Sequence, residues 1–204
     1  MTEQNNQKTI ASYNEAVQAY IDGSSKSVQK GLYEEWLHAA LSGLKLGGRI
    51  FEIGSADGIV AKFFESRGFQ VQRSDAASGF VDYMRAQGYD AKEFDVLTDT
   101  MPTSYDMVFA KAILVHFTKD ECKKVMESVY KALPNGGRFV CDVKEGVGEG
   151  WSNEKLDKPR FFSHWSRQEF DHALKQSGFK RVDISYRKSS RATQRGWFQA
   201  VAFR

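Results

Sequence analysis

Apolar and polar positions along the chain follow two rhythms, one helical and one strand-like. Val28, Leu32, Trp36, Ala39 and Ala40 recur at helical spacing and predict an amphipathic helix over 27–42. Ahead of it, Ser12-x-x-Glu15 has the spacing of a capping box and predicts a short helix over 13–21, with Asp22-Gly23-Ser24-Ser25 as a linker behind it. Gly47-Gly48 then breaks the chain before an apolar run at 50–53, a short buried strand. A glycine-containing turn and a helix through Ile59, Val60, Phe63 and Phe64 follow, ended by Gly68. The pattern continues with a strand at 69–74, a helix at 78–87, a short strand at 91–94 and a strong strand at 105–110. Thr118-x-x-Glu121 opens a helix that runs to about 133 and stops at Pro134-Asn135-Gly136-Gly137. A strand at 138–143 follows, then a long connection over 144–165. Ser166-x-x-Glu169 opens a last helix, and strands at 179–186 and 197–203 close the chain with no helix between them.

Alternating strands and helices predict an α/β fold, a doubly wound, mainly parallel sheet. The ending departs from that rule. Two consecutive strands joined by a short polar segment must pair as a hairpin, or one must insert antiparallel. The expectation is a seven-stranded sheet with one antiparallel C-terminal strand.

Composition removes whole classes of alternative. The chain has 204 residues, 41% of them apolar, with 15 Phe, 8 Tyr and 4 Trp. That supplies a core for one domain and excludes a disordered chain. No stretch approaches the roughly 20 apolar residues of a membrane span, and the polar first 20 residues lack a signal-peptide core. Two cysteines, Cys122 and Cys141, are too few for a disulfide framework or a cysteine zinc site. Net charge is +3, no argument for nucleic acid by itself. The expectation is a soluble cytoplasmic protein.

In such sheets ligands bind beyond the carboxyl ends of the strands, and five segments place chemistry there. Phe51-Glu52-Ile53-Gly54-Ser55-Ala56-Asp57-Gly58 follows the first strand. Its glycines let backbone approach a ligand, and the helix start offers free N–H groups; the alternative is a turn with no ligand. Asp75 ends the second strand about 20 residues beyond Gly54, where a carboxylate can accept from both hydroxyls of a ribose; otherwise it caps a turn. Taken together, the two segments favour an adenosine-containing ligand. Asp95 and Val96 can meet the amino group and a ring nitrogen of adenine, or form a plain loop. Lys111 and His116 follow the strand at 105–110; His116 is a proton-transfer candidate or a loop-orienting histidine. The connection 144–165 ends Phe161-Phe162-Ser163-His164-Trp165, aromatics that either wall a substrate pocket or cover the core.

These residues resemble the class I S-adenosylmethionine (SAM)-dependent methyltransferases, in particular their small-molecule, ubiquinone-biosynthesis-like branch. The likeness runs from about residue 45 to 204. The family's acid-x-Gly-x-Gly-x-Gly motif reads Glu52-Ile53-Gly54-Ser55-Ala56-Asp57-Gly58, with Ala56 in place of the middle glycine. The family acids after strands two and three match Asp75 and Asp95. The stretches YDMVFAKAILVHF and KALPNGGRFV resemble its fourth strand with the loop behind it and its fifth strand. The resemblance implies a Rossmann-like domain over 45–204; residues 1–44, which precede its first strand and carry amphipathic helices, are expected from position to form an N-terminal helical lid. It implies SAM as cofactor and S-adenosylhomocysteine (SAH) as product. The implied cofactor-binding residues are Glu52, Gly54, Ser55, Ala56, Gly58, Asp75, Ala76, Asp95, Val96, Ala110 and Lys111; from their position in the lid, Tyr13 and Tyr20 are expected to reach the methionine end of the cofactor or the acceptor, and Tyr20 is added to the set. The spacing Gly54-x-x-x-Gly58 suits SAM better than a pyrophosphate-bearing dinucleotide.

The implied reaction transfers a methyl group to oxygen or nitrogen of a small metabolite, with His116 and then His164 as candidate bases. No metal is expected: the acid-rich site of catechol-type enzymes would want an Asp near Ala110, and Asp142 alone makes a poor magnesium site. The expected partner is a small-molecule acceptor, in a monomer or homodimer with no nucleic acid and no membrane. The basic segment from Arg187 to Arg195 is either a solvated hairpin loop or a contact for an acidic or RNA substrate. It keeps open an RNA or protein methyltransferase, and Ala56 keeps open a non-catalytic SAM-fold subunit.

Overall fold

A computed structural model of the chain describes residues 2–28, 33–154, 156–189 and 195–204. Its strands are β1 (Arg49–Ile53), β2 (Gln70–Asp75), β3 (Ala91–Glu93), β4 (Met107–Ala110), β5 (Arg138–Glu145), β6 (Glu149–Ser152), β7 (Arg160–Trp165), β8 (Arg181–Arg187) and β9 (Trp197–Phe203). Its helices are α1 (Thr2–Asn14), α2 (Val17–Val28), α3 (Glu34–Leu41), α4 (Ile59–Glu65), α5 (Ser78–Ala86), α6 (Lys119–Ala132) and α7 (Arg167–Gln176). The main sheet has the order β3-β2-β1-β4-β5-β9-β8. The pairs from β3 to β5 are parallel, and β9 lies antiparallel to both its neighbours. This is the seven-stranded sheet with one reversed strand.

Both faces of the central strands are buried because side chains alternate across a strand and helices cover each side. Phe51, Ile53, Val108, Phe139 and Cys141 face the cluster that contains Val125, Met126, Val129, Phe170 and Leu174 of α6 and α7. Ile50, Met107, Phe109 and Val140 face the other, with Trp36 and Leu37 of α3 and Phe64 of α4. Each fully buried Phe or Leu contributes roughly 1.5–3 kcal/mol. Helices α6 and α7 begin where their capping boxes place them. Thr118 and Ser166 each accept from the backbone three residues on, and Glu121 and Glu169 return the bond; such a cap stabilises by about 1 kcal/mol.

The connection 144–165 holds an element that the hydrophobic pattern does not reveal. Strand β5 runs on past the end of β4, and there Lys144 and Glu145 pair with His164 and Trp165 of β7. The β6–β7 hairpin therefore overhangs the carboxyl end of β4.

The N-terminal expectations are corrected. The helix over 13–21 is replaced by α1 and α2, which meet at residues 15 and 16. Ser12 caps nothing; its hydroxyl donates to the carbonyl of Pro159, 2.7 Å away. The buried side chains of α1 among the described residues are Asn6, Thr9 and Ser12, so its packed face is polar and carries no apolar stripe. The supposed linker at 22–25 lies within α2. The helix over 27–42 is observed as α3; Val28 belongs to α2, Leu32 lies outside the described residues, and Leu37 rather than Ala39 faces the core.

Candidate functional site

Beyond the carboxyl ends of β1, β2, β4 and β5 lies a cavity of about 580 Å³, a size typical of small-molecule sites. Its floor is the turn from β1 to α4. Gly54 holds φ +72°, and a Cβ there would stand 2.0 Å from Cδ1 of Ile113. Only glycine meets both conditions. Ser55 donates its N–H to Ser74, 2.8 Å away, tying the turn to β2. Ala56 sits at φ 49°, a left-handed conformation that strains a side-chain-bearing residue by roughly 1–2 kcal/mol.

Asp75 anchors that strained turn. One carboxylate oxygen accepts from the N–H of Ala56 at 3.0 Å and the other from Ala77 at 2.9 Å. Burial pushes its pKa up to about 6 against the pull of these N–H groups. Glu52 is 3% exposed, and burial raises it to about 7, opposed by a hydrogen bond with Ser55 and by the charges of Arg73 and Lys111. Among the described residues its Oε2 meets no hydrogen-bond partner. A buried, unsatisfied carboxylate oxygen beside a cavity is a group that a cationic ligand would satisfy. Asp95 accepts from Leu97 N–H at 3.0 Å and, on its other oxygen, from the side-chain amide of Asn6 at 2.7 Å.

The far wall rises from the loop after β4. Ala112 has φ 57°, and its N–H donates to the buried carboxylate of Asp142, 2.5 Å away. Burial raises Asp142 to about 6. The 3₁₀ turn Leu114–His116 follows. The Nδ1 of His116 lies 2.8 Å from the Phe161 carbonyl, which can only accept, so Nδ1 carries the proton. The Nε2 is left as an acceptor, 2.9 Å from the Tyr13 hydroxyl. Arg160 donates to that same hydroxyl at 3.3 Å. Tyr13, Tyr20 and Phe80 pack edge to face or tilted, with ring centroids 5.2 to 6.1 Å apart.

The cavity thus brings together Tyr20, Glu52, Gly54, Ser55, Ala56, Asp75, Ala76, Asp95, Val96, Lys111 and His116 among the residues expected from sequence. Three others are not in its lining. Ala110 is sealed in the core beneath Lys111. Gly58 starts α4 at φ +72°, where an added Cβ would stand 3.3 Å from Nε of Arg73. His164 shares a face of β7 with Arg160 and Phe162 but lies beyond the rim, where burial and then the charges of Lys144 and Arg195 lower its pKa. In the aromatic run, Phe162 lines the cavity while Phe161 and Trp165 are buried in the fold. The lining also includes Arg160, Lys144, Arg187, Arg195 and Trp197, none of them predicted individually. An arginine opening the apolar run Arg160-Phe161-Phe162 was the available signal. Of the basic segment, 190–194 lies outside the described residues. Among the described residues no group of three or more His, Cys, Asp or Glu is placed to hold a metal, and no helix is long and apolar enough to cross a membrane.

A family model described as a methyltransferase domain matches residues 26–184. No curated protein matches the chain. Among solved structures, the chain resembles the Burkholderia thailandensis 1,6-didemethyltoxoflavin-N1-methyltransferase, crystallised with 1,6-didemethyltoxoflavin and S-adenosylhomocysteine, with TM-score 0.72 and 16% identity over 95% of this chain and 88% of that one. It resembles an S-adenosylmethionine-dependent methyltransferase from Mesorhizobium loti with TM-score 0.67 and 17% identity, over 85% of this chain and 98% of that one. It also resembles the [4+2]-cyclase SpnF with TM-score 0.65 and 14% identity, over 83% and 80%. At these identities the likeness is one of fold.

Proposed function

The chain belongs to the methyltransferase-domain family, and from that premise we propose that it transfers a methyl group from SAM to an oxygen or nitrogen atom of a small-molecule acceptor. The observation that carries this reading is the buried pair Glu52 and Asp75 around the Gly54 turn. Glu52 has a carboxylate oxygen with no partner among the described residues, suited to the cationic methionine end of the cofactor. Asp75 ends β2 within the cavity lining, suited to the ribose hydroxyls. Asp95 already holds an amide NH₂ from Asn6, the same donor chemistry that an adenine amino group offers. Ser55, Ala56 and Ala76 supply the backbone around the ribose, Val96 the adenine edge, Lys111 and Tyr20 the opposite side. Gly58 and Ala110 act from behind, shaping the turn and the strand end.

When bound, SAM supplies a methyl group already activated on a sulfonium, so the chain's part is alignment and proton handling. His116 is the proton acceptor. With Nδ1–H fixed on the Phe161 carbonyl, its Nε2 takes the Tyr13 proton as Tyr13 takes one from the acceptor hydroxyl or amine. His164 lies outside the cavity lining and is not assigned this role. Helices α1 and α2 form a lid: Asn6, Thr9, Ile10, Tyr13 and Tyr20 line the cavity from them. Arg187 and Arg195 line the cavity as well, which favours a small acceptor over a nucleic acid.

Calorimetric titration with SAM, SAH and NAD tests the cofactor. Micromolar binding of the first two and none of NAD is expected. Absence of SAM and SAH binding in the folded protein overturns the proposal.

A further inference from the structure

The half of the cavity away from Glu52, Asp75 and Asp95 is built from cations. Lys144 of β5, Arg160 of β7 and Arg195 before β9 are close enough that the two arginines depress the lysine's pKa, after burial; Glu154 is the acid that opposes them. Arg187 of β8 stands beside Asp142, which spends its bond on the Ala112 N–H. All four cations line the cavity. None forms an ion pair among the described residues, although the protein makes such pairs elsewhere. Arg160 is only 4% exposed, and among the described residues its Nε finds no acceptor. Its other nitrogens serve the Tyr13 hydroxyl and the Glu154 carbonyl, both uncharged. A buried cation such as Arg160 that forms no ion pair among the described residues is expensive to hold. Such a cation persists where a ligand brings the missing charge.

The same wall is aromatic. Phe162 lies under Lys144 and Arg160, with the charges 5.4 and 5.1 Å from its ring centre. Arg187 stands 4.6 Å from the ring of Tyr33 and 5.6 Å from that of Trp197. Flat rings framed by cations accept a flat ring that bears an anion.

We propose that the methyl acceptor is an aromatic compound carrying a carboxylate or phosphate, held by Arg160, Lys144 and Arg195 with its ring against Phe162. This rests on the methyltransferase reading above. The reactive atom then faces the Tyr13–His116 pair, next to Arg160.

The test uses the full chain. SAH binding is measured first; if SAH does not bind, the methyltransferase reading fails. With SAH bound, 4-hydroxybenzoate, 4-hydroxyphenyl phosphate and uncharged 4-hydroxybenzyl alcohol are titrated. Both acids should bind about tenfold or more tightly than the alcohol, and the tighter acid identifies the anion. The preference should collapse in Arg160→Gln and shrink in Lys144→Gln and Arg195→Gln. The last two are at less buried positions, so they keep the test open if Arg160→Gln does not fold. SAH affinity should not change in Lys144→Gln or Arg195→Gln. Equal binding of acids and alcohol, or binding of none of the three, overturns the proposal. So does a tenfold fall in SAH affinity in Lys144→Gln with the acid preference intact, because the cations would then serve the cofactor's own carboxylate.

Discussion

The two halves of the cavity solve opposite electrostatic problems by different means. The acidic half sits on the β1–α4 turn, and most of its charges are answered from within. Asp75 takes two backbone N–H groups, Asp95 takes a backbone N–H and the Asn6 amide, and Glu52 is left with one unpartnered oxygen. The basic half is assembled from β5, β7, β8 and the approach to β9, and its charges are answered mainly by rings and neutral oxygens. Backbone-held carboxylates belong to a preformed site for one fixed ligand. Side-chain cations on strand ends and loops can be exchanged without touching the turn. On the proposed reading, cofactor recognition and acceptor choice are thereby separated within one cavity.

The sharpest break of this division is Gly54→Val. A Cβ there would collide with Ile113 at a left-handed φ, so SAH binding should vanish by calorimetry while Lys144→Gln keeps it. Retention of SAH affinity by the valine variant would show that the turn is not the cofactor floor. Next in size, His116→Ala should lower turnover roughly 10²–10⁴-fold with SAM affinity unchanged. Tyr13→Phe should fall similarly, and the double variant little further, because the two act as one relay. Independent, additive losses would argue against it.

Glu52→Gln sharpens the comparison through pH. The folded pKa of about 7 lies above the ordinary 4.5, so the native state holds this proton longer than the unfolded chain does. Glu52 therefore imposes no penalty below the ordinary value and destabilises the unliganded protein progressively as pH rises through 7, by at most about 3 kcal/mol. Asp75, raised from 3.8 to about 6, acts in the same sense. The glutamine variant should melt higher than the parent at pH 8 and flatten the pH profile of Tm, yet bind SAM more weakly. A parallel, unshifted profile would mean that Glu52 does not titrate in this range. Asp75→Ala should weaken SAM binding about tenfold or more; an unchanged dissociation constant would reduce Asp75 to a turn residue. The smallest effect is expected of Ala56→Gly, which relieves a left-handed alanine and should stabilise the fold by about 1 kcal/mol. A loss of stability there would mean that the alanine methyl packs usefully.

Much of this architecture was legible because its signals are local. The capping boxes at Thr118 and Ser166 mark α6 and α7 to the residue, and 197–203 is the last strand as read. The glycine turn and Asp75 betray themselves by spacing. The N-terminal helices did not, because the inward face of α1 is Asn6, Thr9 and Ser12, and hydrogen bonding leaves no periodic trace of burial. The β6–β7 hairpin was hidden because its partner is the overhang of β5, a contact set by the unequal lengths of β4 and β5. The basic wall was legible only in part: Lys111 and the segment from Arg187 to Arg195 stood out, but Lys144 and Arg160 did not, because only folding collects its members.

The polar underside of α1 has a kinetic consequence. Its hydrogen-bonding side chains include Asn6 to Asp95, Thr9 to Phe161, Ser12 to Pro159 and Tyr13 to His116. Lifting such a helix exposes groups that water can satisfy one by one, and the apolar surface to rehydrate is chiefly the Tyr13 ring against Tyr20 and Phe80. On the proposed reading, α1 would lift at modest cost on the microsecond-to-millisecond scale of lid motions, admitting fresh cofactor and discharging spent product without disturbing the sheet beneath.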